Sequence, residues 1–354
     1  MLPYWLLFSL VAAGALDFRR RAAAGMRAAP FLVPIGLLTA LMIGFRYEVG
    51  GDWFNYYGIY ETVAHADLGE LLDIGDPGYM MLNWVATRLG LDMWAVNLGC
   101  GLIFSWGLIR FARRQPNPWL AVLVAIPYLV IVVAMGYSRQ GVAIGIILAG
   151  LATLDRSTVA RFAIYILFAA SFHKSAVIIL PLVALAAARQ RIVIIGLLGV
   201  TAVLLYWLFI QSSFDRMVTN YIEAEYSSQG AAIRVAMNMP PALIFLLNQR
   251  RFGFTPQQQK LWRNFAIGAI FAFLLLILTD ATAAVDRIAL YLIPLQLAIF
   301  ASLPEAFPNA GKPNGQLAVF VIIYSAVIQF VWLNYANHAE FWLPYQIFPL
   351  TDSG

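Results

Sequence analysis

Along the chain, runs of roughly 17 to 20 apolar residues recur from end to end, separated by short polar breaks. At about 1.5 Å per helical residue, each run crosses, or nearly crosses, ~30 Å of hydrocarbon. The pattern predicts spans near 2–16, 29–45, 92–109, 119–136, 137–153, 158–172, 175–188, 192–210, 233–248, 264–280, 288–303 and 316–333. The expectation is an all-α polytopic membrane protein with about 12 transmembrane helices, residues 1–354 forming a single transmembrane domain.

Basic residues mark the cytoplasmic side of such a chain. The run Leu2–Leu16 has no basic residue before it and Arg19, Arg20 and Arg21 just after it, the reverse of a secretory signal peptide. It reads as a retained first span with its N-terminus outside. Alternating from there puts sixteen of the 23 basic residues inside, whereas of the 18 acids only Asp17, Asp155 and Glu305 fall inside. The stretch 79–90 is about 18 Å long as a helix, too short to span, and reads as a half-helix or interfacial helix. The stretch between Arg161 and Arg189 is long enough for one tilted span or two short ones. One span would bury His173 and Lys174 near the midplane and invert the sidedness downstream, so the charge map selects two short helices that turn there on the outer face.

Composition agrees: 62% of residues are hydrophobic and 12% charged, against about 25% charged in a soluble domain. The net charge of +5 is spread between the apolar runs instead of gathering on one face, which excludes a nucleic-acid partner. Cys100 is the only cysteine, so there is no disulfide framework and no zinc spacing. Neither a cofactor nor a metal is expected.

The chemistry collects at the predicted outer face. Arg46 ends the second span, Arg139 sits in "GYSRQGV", Lys174 follows His173, and Arg287 opens the eleventh span. Charges recessed in one leaflet are costly, and an anionic ligand shared by all four would offset that cost. Phosphate fits the residue types, because Arg presents a fork of donors and Lys a compact charge. The alternative for each residue is an interfacial anchor reaching lipid headgroups.

Loop 46–78 carries Trp53, Phe54, Tyr56, Tyr57 and Tyr60 just after Asp52. Aromatics beside carboxylates hold sugars, but an aromatic belt at the membrane surface explains the same enrichment. Gly50 and Gly51 permit a tight turn before Asp52. A second outer loop, 211–235, holds Asp215, Arg216, Tyr221, Glu223, Glu225, Tyr226 and Arg234, best read as a solvated helical face. The aromatic tail 334–354 is expected to fold back over the outer surface, and neither His65 nor His338 is given a chemical role.

The segments "FRYEVGGDWFNYY", "DPGYMMLN", "GYSRQGVAIGI", "SFHKSAVI" and "DRIALYL" occur in this order between residues 46 and 291. Together they resemble the EpsG-like family of exopolysaccharide polymerases, relatives of the Wzy-type O-antigen polymerases. The resemblance implies a GT-C-like glycosyltransferase of the bacterial inner membrane, with its active site facing the periplasm. Its implied substrates are undecaprenyl-diphosphate-linked oligosaccharide repeat units, with membrane lipid and a chain-length regulator as further partners. Arg46, Arg139, Lys174 and Arg287 are the candidate diphosphate ligands, and Trp53, Tyr56, Tyr57 and Tyr79 the candidate glycan-binding residues. His173 or Asp52 is the candidate general base. The tail and the 211–235 loop lie outside the matching segments, which leaves them as candidate specificity elements.

Three other readings share parts of the pattern. A lipid-linked oligosaccharide flippase or transporter would place ionisable residues near the midplane and show internal repeats, whereas here the charges cluster at span ends. An O-antigen ligase would use the same donor with another acceptor. A membrane acyltransferase would use a histidine between helices but would not need the arginines.

Overall fold

The computed structural model describes residues 1–23, 29, 31–154, 159–187, 196, 199, 230–279 and 282–351. Among these the regular structure is helical, apart from two isolated bridges. We label the helices α1 (Leu2–Ala23), α2 (Leu32–Gly44), α3 (Trp53–Ala64), α4 (Leu71–Ile74), α5 (Pro77–Arg88), α6 (Met93–Ala112) and α7 (Pro118–Ala125). They continue with α8 (Ser138–Leu151), α9 (Val159–Phe172), α10 (Ile179–Ala187), α11 (Ala231–Ala236), α12 (Met239–Asn248), α13 (Pro256–Leu278), α14 (Thr282–Ala289), α15 (Ile293–Ala306) and α16 (Gly315–Tyr335).

Five helical segments are long and apolar enough to cross a membrane unaided: 93–112, 231–251, 256–278, 282–306 and 315–335. Six shorter apolar ones coincide with the expected spans nearest 2–16, 29–45, 119–136, 137–153, 158–172 and 175–188. The expected span 192–210 lies outside the described residues. The stretch 79–90 falls largely within the twelve-residue α5, short as its length required.

Helix starts follow their sequence signals. Asn117 caps α7 through Leu120 N at 3.1 Å, with Pro118 in the first turn. Thr255 and Gln258 form a capping box around Pro256, and Asn314 accepts from Gln316 N at 3.0 Å. Each side chain satisfies amides that a helix start leaves unbonded.

The centre of the bundle is built from α7, α8 and α15, which are buried along almost their whole length. α13 and α16 lie outside them and turn Ile267, Phe271, Leu274 and Phe320, Ile323, Phe330 outward, as helices facing lipid do. α6 meets α8 closely because Gly107 and Gly145 face each other. A Cβ on Gly145 would stand 2.6 Å from Phe104 Cα, so only glycine fits.

From Ile126 to Ala134, α7 runs on as a π-helix containing Pro127. The Ile131 carbonyl in this stretch accepts from Trp342 Nε1 at 2.6 Å, which pins the C-terminal tail to the bundle centre. The tail also pairs with the residues after α2, through Phe348 N to Phe45 O at 2.9 Å and Tyr47 N to Gln346 O at 3.1 Å. Tyr4 in α1 donates to Trp342 O at 2.9 Å. One end of the bundle therefore gathers the start of α1, the end of α2 and the tail. The starts of α6 and α8 and the end of α16 reach the same place.

Candidate functional site

At that same end the loop after α2 descends between helices. Gly50 has φ +109° and sits against the Met135 carbonyl, a conformation and a closeness that a side chain would oppose. The turn delivers Asp52 to the start of α3. Asp76 stands at the equivalent place before α5, with Pro77 in its first turn. A carboxylate there ordinarily caps its own helix. Neither does so, and both are turned toward cations instead.

Asp76 is buried and binds Arg139 in the first turn of α8, Oδ2 to Nη1 at 3.0 Å. Arg139 lies over the Tyr56 ring, its guanidinium carbon 5.9 Å from the centroid. Its Nε is buried with no partner among the described residues. Asp52 feels both Arg287 and Arg139, and His173 feels the same two cations. Lys174 acts on Asp76. Arg287 and Lys174 are exposed, and Arg139 is one-third exposed. Thus Arg139, Arg287, Lys174, His173, Asp52 and Asp76, drawn from α3, α5, α8, α14 and the turn after α9, share one neighbourhood.

The turn is the one the charge map required. α9 stops at Phe172, His173 is extended, and a 3₁₀ turn, Lys174–Ile178, leads into α10. His173 Nδ1 lies 3.2 Å from the hydroxyl of Tyr291, itself buried. Across the site, Gln140 Nε2 donates to Arg287 O at 2.7 Å, fixing α14 against α8.

The electrostatics follow from burial among cations. Burial raises Asp52 above the ordinary carboxylate range, while Arg287 and then Arg139 pull it back. Asp76 is likewise raised by burial and opposed by Arg139 and Lys174. For His173, in the turn between two helices, all three influences act in one direction. Burial, Arg139 and Arg287 together depress it to about 4, so the imidazole is neutral at ordinary pH.

Several expected site residues stand elsewhere. Arg46 is 0% exposed. Its Nε donates to Val49 O at 3.0 Å, Nη1 to Ile43 O at 2.8 Å and Nη2 to Ser138 Oγ at 2.8 Å, beneath the Trp53 ring. It is a structural tie with no face left for a ligand. Trp53, Tyr56 and Tyr79 are buried as well, Tyr56 and Tyr79 packed ring to ring at 5.4 Å. Of the four candidate glycan residues only Tyr57 is exposed.

Asp76 is a functional candidate that sequence pattern does not single out. Its place before Pro77 looks like an ordinary helix cap, and only the fold reveals Arg139 beside it. From the 211–235 loop, Arg234 makes a two-pronged contact with Asp286, the shortest bond 2.6 Å. Asp215, Arg216, Tyr221, Glu223, Glu225 and Tyr226 lie outside the described residues. His65 bonds to the Glu61 carbonyl and His338 packs near Phe341, away from these cations. No group of three metal-ligating side chains occurs among the described residues.

No curated protein and no solved structure matches the chain significantly. The sequence profile of one family does, over residues 31–347, from the start of α2 to the tail segment that pairs with Arg46. That match takes in every element of the cation-lined site, and the chain therefore belongs to the EpsG family of polysaccharide polymerase-type, multi-pass membrane proteins.

Proposed function

We propose that this chain polymerises oligosaccharide repeat units carried on a polyprenyl diphosphate of the undecaprenyl type. In this reading it is a GT-C-like glycosyltransferase of the inner membrane with twelve spans, its N-terminus and site on the periplasmic face. The observation that carries the reading is the gathering of Arg139, Arg287 and Lys174 around one neighbourhood, where Arg139 engages Asp76 and Tyr56 yet keeps a buried Nε without a partner among the described residues. A buried N–H without an acceptor is costly, and a phosphate oxygen is the acceptor that three clustered cations select.

In the reaction, the anomeric C–O bond to the diphosphate breaks as an acceptor hydroxyl forms a new C–O bond to the same carbon. The bridging oxygen leaves with the lipid diphosphate, and Arg139, Arg287 and Lys174 stabilise its charge. The acceptor hydroxyl gives its proton to a base. His173 suits that role because it is neutral and because Tyr291 occupies Nδ1, leaving Nε2 for the hydroxyl. Asp52, raised by burial and facing the same cations, is the other candidate. Asp76 orients Arg139 and does not touch the substrate in this scheme.

Purified protein supplied with lipid-diphosphate-linked repeat units should produce a ladder of lengthening glycans. A single addition with no ladder rejects polymerisation. The pH profile of the same assay tests the base. With His173 depressed to about 4, kcat/KM holds from pH 7 down to pH 5 and falls only below that. An acid limb near the ordinary histidine value of about 6.5 removes His173, in the environment described, from the role of base. Stability carries the opposite load: below the unfolded pKa of about 6.5 the unfolded chain binds a proton that folded His173 refuses, so stability declines as pH falls toward 4.

A further inference from the structure

Against Arg46 a cavity of about 270 Å³ opens between the loop after α2, the starts of α3 and α6, and the C-terminal tail. Its wall includes Trp53, Phe54, Tyr57, Trp94 and Phe348, together with Glu48, Asp92 and the buried Arg46. Phe54 and Tyr57 are 68% and 45% exposed, so their rings are available. Trp94 stacks at 5.5 Å on Phe45 and at 6.0 Å on Phe348, and is thereby held rigidly. The tail residue is fixed in turn by the Phe348 N to Phe45 O bond.

The exposed charged groups of the lining are acidic. Glu48 is exposed and adopts φ +51°, a left-handed conformation that a side chain other than glycine reaches only when its surroundings hold it there. Asp92 is exposed and accepts only its own helix amide, Met93 N at 2.6 Å, among the bonds described. Glu61 stands next to Tyr57, whose hydroxyl it engages. The cation in the wall, Arg46, is fully buried and spends all three nitrogens on protein acceptors.

We infer that this cavity is a saccharide subsite selective for neutral or amino sugars over uronic acids. The inference rests on the polymerase reading for its occupant and adds the substrate class. The cavity sits near the lower end of small-molecule sites, roughly 300 Å³, room for about one sugar ring. Aromatic faces pack against the C–H face of a pyranose, and ionised carboxylates, which only accept, take its hydroxyl hydrogens. A uronate would bring a like charge against the exposed Glu48 and Asp92, a screened repulsion that disfavours it, whereas the buried Arg46 has no free N–H to offer it. An aromatic belt alone would give exposed rings without a cavity or a pair of exposed carboxylates beside them.

The test uses the full chain in detergent and free oligosaccharides carrying no lipid: chitotetraose, its fully deacetylated amine and tetragalacturonate, with binding read by saturation-transfer NMR. Chitotetraose and the amine should bind, and tetragalacturonate should bind at least about tenfold more weakly, a ratio that salt reduces. Glu48→Gln combined with Asp92→Asn should bring the three affinities close together, and Tyr57→Ala should weaken all of them. Equal binding of tetragalacturonate, no binding of any probe, or unchanged binding by Tyr57→Ala overturns the assignment. Sugar preference without a polymer ladder rejects the polymerase reading alone, and a ladder without sugar preference rejects the subsite alone.

Discussion

The Arg139→Ala protein inserts and accumulates like the wild type and makes no polymer. Arg139 is one-third exposed, so truncation leaves no sealed void. Its partner Asp76 keeps Lys174 beside it, so the carboxylate does not stand as an unpaired buried charge. What disappears is the donor aimed at the leaving diphosphate. One such preorganised contact is worth about 10² to 10³ in rate. Arg139→Lys keeps the charge and loses the fork that grips Asp76 and phosphate together, so it recovers only a fraction. Protein level by immunoblot and glycan length in a strain that supplies repeat units check both statements. Wild-type chain lengths from Arg139→Ala would end the diphosphate assignment.

The contrast between Arg139 and Arg46 shows what the sequence could and could not convey. Both stand at apolar helix ends among aromatics, and by type they are interchangeable. The acceptors that claim Arg46 include a carbonyl three residues away and Ser138, 92 residues away, and nothing in local pattern announces the second. Periodicity and charge, by contrast, act locally. They located the apolar helices, and they located the His173 turn because basic residues on both sides left a hydrophobic stretch only two short helices could satisfy. Aromatic content was legible too, but its division was not. Tyr56 and Tyr79 became packing, whereas Phe54, Tyr57 and Trp94, with the buried Trp53 behind them, became a wall. Which rings face outward depends on the register of α3 against α5 and on a tail that returns from the far end of the chain. Asp76 was hidden for a different reason: a residue before proline at a helix start already has an ordinary explanation.

Arg46→Ala should fail one step earlier than Arg139→Ala, at folding. Removing the side chain strands the Val49 and Ile43 carbonyls and the Ser138 hydroxyl in a site with no exposed surface. Each buried group left unsatisfied costs about 1 to 3 kcal/mol, before the void beneath Trp53 is counted. A penalty of that size is a large part of the roughly 5 to 15 kcal/mol that holds a domain together. The damage also spreads, because the same loop carries Asp52 to the site and pairs with the tail that closes the aromatic wall. The expected result is little protein in the membrane, early melting of what remains, and increased protease cleavage near residue 48. Arg46→Lys retains one point of contact instead of three and should be intermediate in yield. If Arg46→Ala instead accumulates normally, melts like the wild type and lacks only polymer, then Arg46 belongs with Arg139 at the substrate, and the buried tie does not carry the fold.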